Sequence, residues 1–135
     1  MEQIIWKPNY SVNVKEIDEQ HQNFVHILDT LYDAIQKGEA EKVLNDTFAQ
    51  LMYYKEFHFA TEEKYFDEFN YEGAEEHKKA HQDFRNAVAE LQKKKDADHL
   101  AVSVEILDFM ENWLVEHLSS MDKKYTKCFN EHGLY

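Results

Sequence analysis

Four stretches of the chain place apolar residues and histidines at alternating intervals of three and four residues. The first begins at Ile17 and stops at Gly38, a residue type that commonly ends a helix. The others stop at residues 70–73, at the lysines of residues 93–95 and near Met121. Because this spacing gives an α-helix one buried face, the pattern predicts four helices. The stripes are Ile17, His21, Phe24, Leu28, Leu31 and Ile35; Leu44, Phe48, Leu51, Lys55, His58, Glu62, Tyr65 and Phe69; His77, His81, Phe84, Val88 and Leu91; and Leu107, Met110, Leu114, His117 and Met121.

Short connections between such helices favour antiparallel neighbours, so the sequence predicts an all-α, up-down-up-down four-helix bundle. We expect an irregular N-terminal arm over residues 1–16, the bundle over residues 17–121, and a short helix or tail over residues 122–135. A chain of 135 residues needs no second core, so residues 1–135 are expected to form a single domain. Three glycines and one proline are too few for the turns of a β-sandwich or barrel.

The charge of the chain excludes several classes of partner. Acidic residues outnumber basic residues by 27 to 15, which gives a formal net charge of -12. Because this charge repels nucleic acid and anionic membranes, neither is expected as a partner, and a monomer is favoured. The sequence has no apolar run long enough to cross a membrane and no signal-peptide pattern at its start. Cys128 has no second cysteine to pair with, which favours a reducing cytoplasm.

Polar residues interrupt the apolar stripes, and the predicted topology brings them to one end of the bundle. They lie near the starts of the first and third helices and near the ends of the second and fourth. Burying them is costly unless each finds a partner. Five imidazoles and two carboxylates at one level suit iron, copper or zinc, so we expect a metal site. Its candidate ligands are His21, His58, Glu62, His77, His81, His117 and Asp122.

The spacing and number of these ligands carry two further predictions. On a regular helix, five residues leave His117 and Asp122 about 140° apart, so a helix irregularity is expected within residues 118–122. Seven ligands exceed the four that a tetrahedral zinc accepts, so two metal ions share them more naturally. Suppose that Glu62, Asp122 and a hydroxide each bridge two octahedral ions. One coordination position then stays open, on the ion that holds two histidines.

The ordered set of these residues resembles the hemerythrin family, in particular its single-domain bacterial members. The resemblance implies a non-haem centre of two iron ions with a hydroxo or oxo bridge. It covers nearly the whole chain through Trp6, Asp18-Glu19-Gln20-His21, His58-x-x-x-Glu62, His77-x-x-x-His81 and Trp113-Leu114-x-x-His117-x-x-x-x-Asp122. The resemblance implies that His77, His81 and His117 bind one iron and that His21 and His58 bind the other. It also implies that Glu62 and Asp122 bridge the two irons.

The resemblance also implies that dioxygen binds reversibly, as hydroperoxide, at the open position of the two-histidine iron. The matching residues of the water-excluding oxygen pocket are Trp113, Leu114 and Leu118, with Phe24 and Phe59 as expected neighbours; core packing alone would also explain them. The function favoured is oxygen storage, delivery or sensing without enzymatic activity or catalytic residues, with an oxygen-consuming enzyme as one recipient. The alternatives are a redox enzyme that reduces oxygen, peroxide or nitric oxide, and an iron store or sensor.

No chemical role is expected for the remaining histidines, the cysteine and several tyrosines. His26, His99 and His132 fall off the shared pattern and are predicted to lie at the surface. Cys128 is predicted to be a reduced, partly buried thiol. Aromatic residues at helical spacing usually contribute to packing, so this role is predicted for Tyr53, Tyr54, Tyr65 and Tyr125.

Overall fold

The computed structural model describes residues 5–135, except for the side chain of Ser119, and no strand occurs in this range. Residues 1–4 of the expected arm lie outside the described residues. The four long helices confirm the predicted all-α, four-helix bundle. They are α1 (Lys15–Gln36), α2 (Ala40–Phe69), α3 (Ala74–Lys94) and α4 (His99–Trp113). The chain then continues through a π-helical segment (Leu114–Met121), a 3₁₀ turn (Asp122–Tyr125) and the short helix α5 (Thr126–Glu131).

Local backbone chemistry ends the helices where the bundle must reverse direction. Gly38 follows α1 with a φ of 72°, a left-handed conformation that a residue with a side chain rarely adopts. Asn70 takes the same region at the end of α2, with a φ of 52°. Asp98 caps α4 by accepting a hydrogen bond from the backbone N–H of Ala101. These short turns make consecutive helices antiparallel neighbours.

Two apolar clusters lie on either side of the level that holds the polar residues. Along α1, Ile17 belongs to the smaller cluster and Phe24 to the larger, and His21 lies between them. In α2, Phe59 and Phe66 flank the buried Glu62 in the same way. The larger cluster fills the bundle, and the smaller one closes its end. It consists of Val12, Val14, Ile17, Phe66, Tyr125 and Phe129.

The N-terminal arm packs against the bundle and is anchored by polar contacts. Trp6 lies against the larger cluster, and Tyr10 is buried within it. The backbone N–H of Val12 donates to Asp18, and the Thr126 hydroxyl donates to the Val12 carbonyl oxygen at 2.7 Å. The irregular arm is confirmed for its described residues apart from one 3₁₀ turn (Pro8–Tyr10), and α1 begins at Lys15, two residues before the predicted start.

The predicted core stripe of α2 is wrong in part. Lys55, Tyr65 and Phe69 are only partly buried, whereas Tyr54 and Phe66 face the core. On a straight α-helix Phe66 lies about 40° from Leu44 and Tyr65 about 60° away on the other side, so Phe66 is the closer of the two to the buried face. Lys55 and Phe69 lie within about 20° of Leu44, so their partial exposure does not follow from helix rotation.

The surface predictions are mostly confirmed. His26 and His132 are exposed, His99 is partly exposed, and Cys128 is free and partly buried. The predicted packing role is wrong for Tyr53, which is 71% exposed and stacks on Phe57 at the surface of α2. Within the described residues, each helix is too short or too polar to span a membrane.

Candidate metal centre

Seven buried side chains from α1, α2, α3 and the segment after α4 meet at one level of the molecule. None of them is more than 4% exposed. They are the residues predicted from the sequence as metal ligands, namely His21, His58, Glu62, His77, His81, His117 and Asp122. The structure therefore brings the whole predicted donor set together, while the binding of metal by each member stays a prediction.

The carboxylate of Asp122 lies between two groups of histidines. Its Oδ1 atom is 2.8 Å from His77 Nε2 and 2.9 Å from His117 Nε2. Its Oδ2 atom is 3.0 Å from His21 Nε2, on the opposite side. Neither oxygen has a partner with hydrogen-bond geometry among the described residues. A carboxylate whose two oxygens face different nitrogen donors can bridge two cations.

Glu62 is the second buried carboxylate at this level. Its Oε1 atom is 3.0 Å from His81 Nε2 and 3.1 Å from His58 Nε2. Its Oε2 atom has no hydrogen-bond partner in the described part of the chain. Because an unpartnered buried oxygen is costly, this atom is well suited to a cation.

The donor atoms divide into two overlapping groups, each gathered within 4.8 Å. Nitrogen atoms also approach each other directly, with 3.3 Å between His21 Nε2 and His58 Nε2 and 3.1 Å between His77 Nε2 and His117 Nε2. Facing lone pairs repel unless a proton or a cation lies near both, so the arrangement favours bound cations. The groups are Glu62 with His77, His81 and His117, and Glu62 with His21, His58 and Asp122.

Two imidazoles are oriented by side chains that the sequence analysis missed. His58 Nδ1 lies 2.6 Å from Gln20 Oε1, and His81 Nδ1 lies 2.9 Å from Glu63 Oε2. Since these oxygens only accept hydrogen bonds, each Nδ1 donates, and the lone pair of the neutral ring is on Nε2, which faces the centre. Gln20 belongs to the Asp18-Glu19-Gln20-His21 motif, and Glu63 directly follows the predicted ligand Glu62, but the sequence assigned neither of them a role.

The π-helical segment explains how His117 and Asp122 reach the same site. The backbone N–H of Asp122 donates to the carbonyl oxygen of His117, five residues earlier. Because α-helical hydrogen bonds span four residues, this wider turn brings Asp122 onto the face of His117. The predicted irregularity is confirmed, and it begins earlier than expected, at Leu114.

Burial and mutual contact shift the pKa values of these groups. Burial lowers the pKa of His58, but the Glu62 and Asp122 carboxylates outweigh it and raise the pKa to about 9. The same opposition raises the pKa of His77 to about 10. Burial raises the pKa of both carboxyl groups, yet the surrounding imidazoles hold it well below the usual range. Without metal, protons on imidazoles therefore balance the two carboxylates, and metal binding has to displace those protons.

Aromatic rings cover three of the imidazoles and separate them from solvent. Each ring lies nearly parallel to the imidazole that it covers, so water has little access to the nitrogen atoms from that side. The pairs are Tyr54 on His58, with ring centroids 5.0 Å apart, Phe59 on His81 at 3.8 Å, and Trp113 on His117 at 3.8 Å.

The predicted pocket residues belong to the apolar cluster above this level. Phe24, Phe59, Leu114 and Leu118 are fully buried in it, and Trp113 packs against it. Their participation in an oxygen pocket stays a prediction.

Tyr54 belongs to the same cluster and carries a hydroxyl group into it. Burial, followed by the charges of Asp122 and Glu62, raises the pKa of Tyr54 well above its usual value. The Trp113 N–H is near enough to oppose this rise, but neither that N–H nor the hydroxyl has a partner with hydrogen-bond geometry in the described part of the chain. The sequence predicts packing for Tyr54 and a pocket position for Trp113, but their spacing does not indicate that their polar atoms meet.

Together these features fit a pair of transition-metal ions. The centre offers five Nε2 atoms and two carboxylates in a site shielded from water, with two imidazoles already oriented by hydrogen bonds. Nitrogen-rich donor sets of this kind suit iron, copper and zinc rather than calcium or magnesium, which prefer oxygen ligands. Asp122 and Glu62 contact imidazoles of both groups, as bridging ligands require.

Comparison with known proteins agrees with this site. The chain is 29% identical to a bacteriohemerythrin of Clostridium acetobutylicum over 126 residues, which cover 90% of this chain and 97% of that protein. It is 29% identical to a bacteriohemerythrin of Methylococcus capsulatus over 121 residues, covering 90% and 92% of the two chains. A myohemerythrin of Sipunculus nudus is 27% identical over 122 residues, covering 90% and 89%.

The family profile described as the hemerythrin HHE cation binding domain matches residues 12–128. This range contains every member of the buried donor set, from His21 to Asp122. The chain therefore belongs to the hemerythrin HHE cation-binding family.

Proposed function

We propose that this protein is a non-haem di-iron protein that binds dioxygen reversibly, for oxygen storage, delivery or sensing. The observation that carries the proposal is the convergence of five imidazoles and two carboxylates in one buried site. Membership of the hemerythrin family and similarity to proteins named bacteriohemerythrin and myohemerythrin support iron as the metal and dioxygen as the ligand.

In this proposal the two overlapping donor groups correspond to two irons. His77, His81 and His117 bind one iron, and His21 and His58 bind the other. The position of the Asp122 carboxylate, with one oxygen toward each histidine group, supports a bridging role for it. Glu62 bridges as well, since it contacts His58 on one side and His81 on the other. Iron held in these two groups would provide the two electrons that dioxygen takes up on binding and gives back on release.

The protein itself contributes orientation and the exclusion of water. A small ligand would bind to the iron that His21 and His58 would hold, in a pocket formed by Phe24, Phe59, Trp113, Leu114 and Leu118. An apolar lining that excludes water slows the loss of a reactive bound ligand and favours its return as dioxygen. Gln20 and Glu63 hold His58 and His81 in the orientation that ligation needs.

We further propose that the protein acts as a monomer in the cytoplasm. The net charge of -12 opposes self-association, and the free Cys128 is compatible with a reducing compartment. An oxygen-consuming enzyme is the proposed recipient of the oxygen.

The direct test is to load the purified protein with ferrous iron without oxygen, count the iron bound per chain, and alternate oxygen with argon. We expect two irons per chain and a visible absorption band that appears under oxygen and disappears under argon over many cycles. The zinc-loaded protein is the matched control, because zinc fills the site and cannot reduce dioxygen. A single iron per chain, or one irreversible conversion to the ferric form, would contradict the proposal and favour a redox enzyme or an iron sensor.

A further inference from the structure

Two polar hydrogen-bonding atoms lie unpartnered in the apolar cluster above the candidate metal centre. They are the hydroxyl oxygen of Tyr54 and the indole Nε1 of Trp113, and neither has a hydrogen-bond partner among the described residues. Tyr54 is only 2% exposed, so water from the bulk does not reach its hydroxyl group. Buried polar atoms in folded proteins nearly always have a partner, so two neighbouring exceptions require an explanation.

The two side chains approach from opposite halves of the centre. The Tyr54 ring lies over His58, which belongs to the proposed two-histidine iron. The Trp113 indole lies over His117, which belongs to the three-histidine group. Both rings also pack against Phe59 and Phe84, so the two side chains meet above the centre rather than at separate places.

Packing alone does not account for the hydroxyl group of Tyr54. The ring contacts Phe24 and Phe59, with centroids 5.0 Å and 6.3 Å apart, and a phenylalanine would make the same contacts. The hydroxyl adds a desolvation cost without a partner to repay it. A ligand that enters the pocket and accepts hydrogen bonds would supply the missing partner.

We propose that the Tyr54 hydroxyl and the Trp113 N–H form a hydrogen-bonding position for the outer atom of a small ligand held above the metal centre. The inference rests on the proposed function and specifies its ligand class, a molecule of two or three atoms whose outer atom accepts a hydrogen bond. Dioxygen and azide have such an atom. The other pocket residues, Phe24, Leu114 and Leu118, offer only apolar contacts, so these two donors set the preference for polar ligands.

A cleft on the protein surface leads to the same residue. It has a volume of about 320 Å³, lies between α1 and α2, and is lined by Tyr54 and His58 together with Gln20, Asn23 and other side chains. The ring of Tyr54 thus separates this cleft from the apolar cluster. The buried Tyr54 and His58 lie on the inner side of this cleft, and the exposed Tyr53 and Phe57 line its opening.

The test uses the iron-loaded protein and the variant Tyr54→Phe, which removes the hydroxyl and keeps the ring. Loss of one neutral hydrogen bond corresponds to about a fivefold effect. We therefore expect azide to bind the oxidised variant about fivefold more weakly and dioxygen to leave the reduced variant about fivefold faster. The infrared stretch of bound azide should shift between H₂O and D₂O in the parent protein, and this shift should shrink in the variant.

Tyr135→Phe is the matched control, since Tyr135 is 69% exposed near the C-terminus and does not line the cleft. It should leave all three measurements unchanged. Unchanged azide affinity, oxygen release and infrared shift in iron-loaded Tyr54→Phe would overturn the inference. If that variant fails to load iron, Trp113→Phe tests the second donor with the same measurements and the same expected direction.

Azide also separates this inference from the proposed function. Weaker azide binding in Tyr54→Phe, in a protein that does not release dioxygen reversibly, would support the hydrogen-bonding position and refute the carrier function. Reversible oxygen binding that is insensitive to both substitutions would do the opposite.

Discussion

Individual carboxylates hold the candidate metal centre together at the scale of single residues. Asp122 contacts imidazoles from α1, α3 and the π-helical segment, and Glu62 contacts imidazoles from α2 and α3. No other acidic side chain among the described residues is fully buried. A neighbouring residue therefore cannot substitute for either of them.

Replacing Glu62 or Asp122 by alanine should reduce iron loading from two ions to one or none per chain. Each substitution removes a proposed bridge and leaves excess positive charge at the imidazoles when cations approach. Metal analysis of the purified variants measures the effect, and Glu56→Ala, on the exposed side of α2, serves as the control. A variant that still held two irons with unchanged oxygen binding would refute the bridging assignment.

At the scale of helices, periodicity explains what the sequence could predict. The level of each proposed ligand follows from its distance to a turn, so His21, His58 and His81 could be placed at one end of the bundle without coordinates. Contacts beyond the ligands were not predictable, because they depend on rotation about each helix axis. Tyr54 is buried and covers His58, whereas Lys55, which the alternation places on the buried face, is only partly buried.

Iron loading should depend on the register of the π-helical segment as much as on its side chains. In the native chain the five-residue π turn aligns His117 with Asp122. Inserting one alanine after Ser120 places them six residues apart, one residue beyond that turn and still about 120° from each other on an α-helix. We expect the insertion variant to lose one or both irons while keeping its helical circular dichroism. Ser120→Ala changes the exposed side chain without changing the register and should load iron normally. Normal loading of the insertion variant would show that the segment does not set this geometry.

At the scale of the whole molecule, the charge balance of the centre should make the stability of the metal-free protein depend on pH. The pKa values of His58 and His77 are raised to about 9 and about 10, above the ordinary value of 6.5. Groups whose pKa is raised by folding stabilise the folded state fully below their unfolded pKa, and this contribution disappears as the pH rises through the folded values. The metal-free bundle should therefore lose stability between about pH 6.5 and pH 10.

Urea unfolding of the metal-free protein at pH 6.5 and pH 10 tests this prediction. The midpoint should fall at the higher pH, and the fall should be smaller in His77→Asn, which lacks one of the two groups. His26→Gln is the control, because His26 is exposed on α1 and should leave the fall unchanged. A midpoint that rises or stays constant between these pH values would contradict the assigned direction.

The π-helical segment also has a consequence for backbone motion. Hydrogen bonds that span five residues are uncommon, and such a turn readily relaxes to the ordinary helix unless contacts hold it. The candidate ligands His117 and Asp122 are the two ends of one such bond, so bound metal would hold the segment closed and its loss would let it open. Hydrogen-deuterium exchange should therefore slow most, on metal loading, at the amides of residues 114–125, and much less at the amides of α1 near Gly38. Release of the metal would then begin with a local opening of this segment, while the rest of the bundle stays folded.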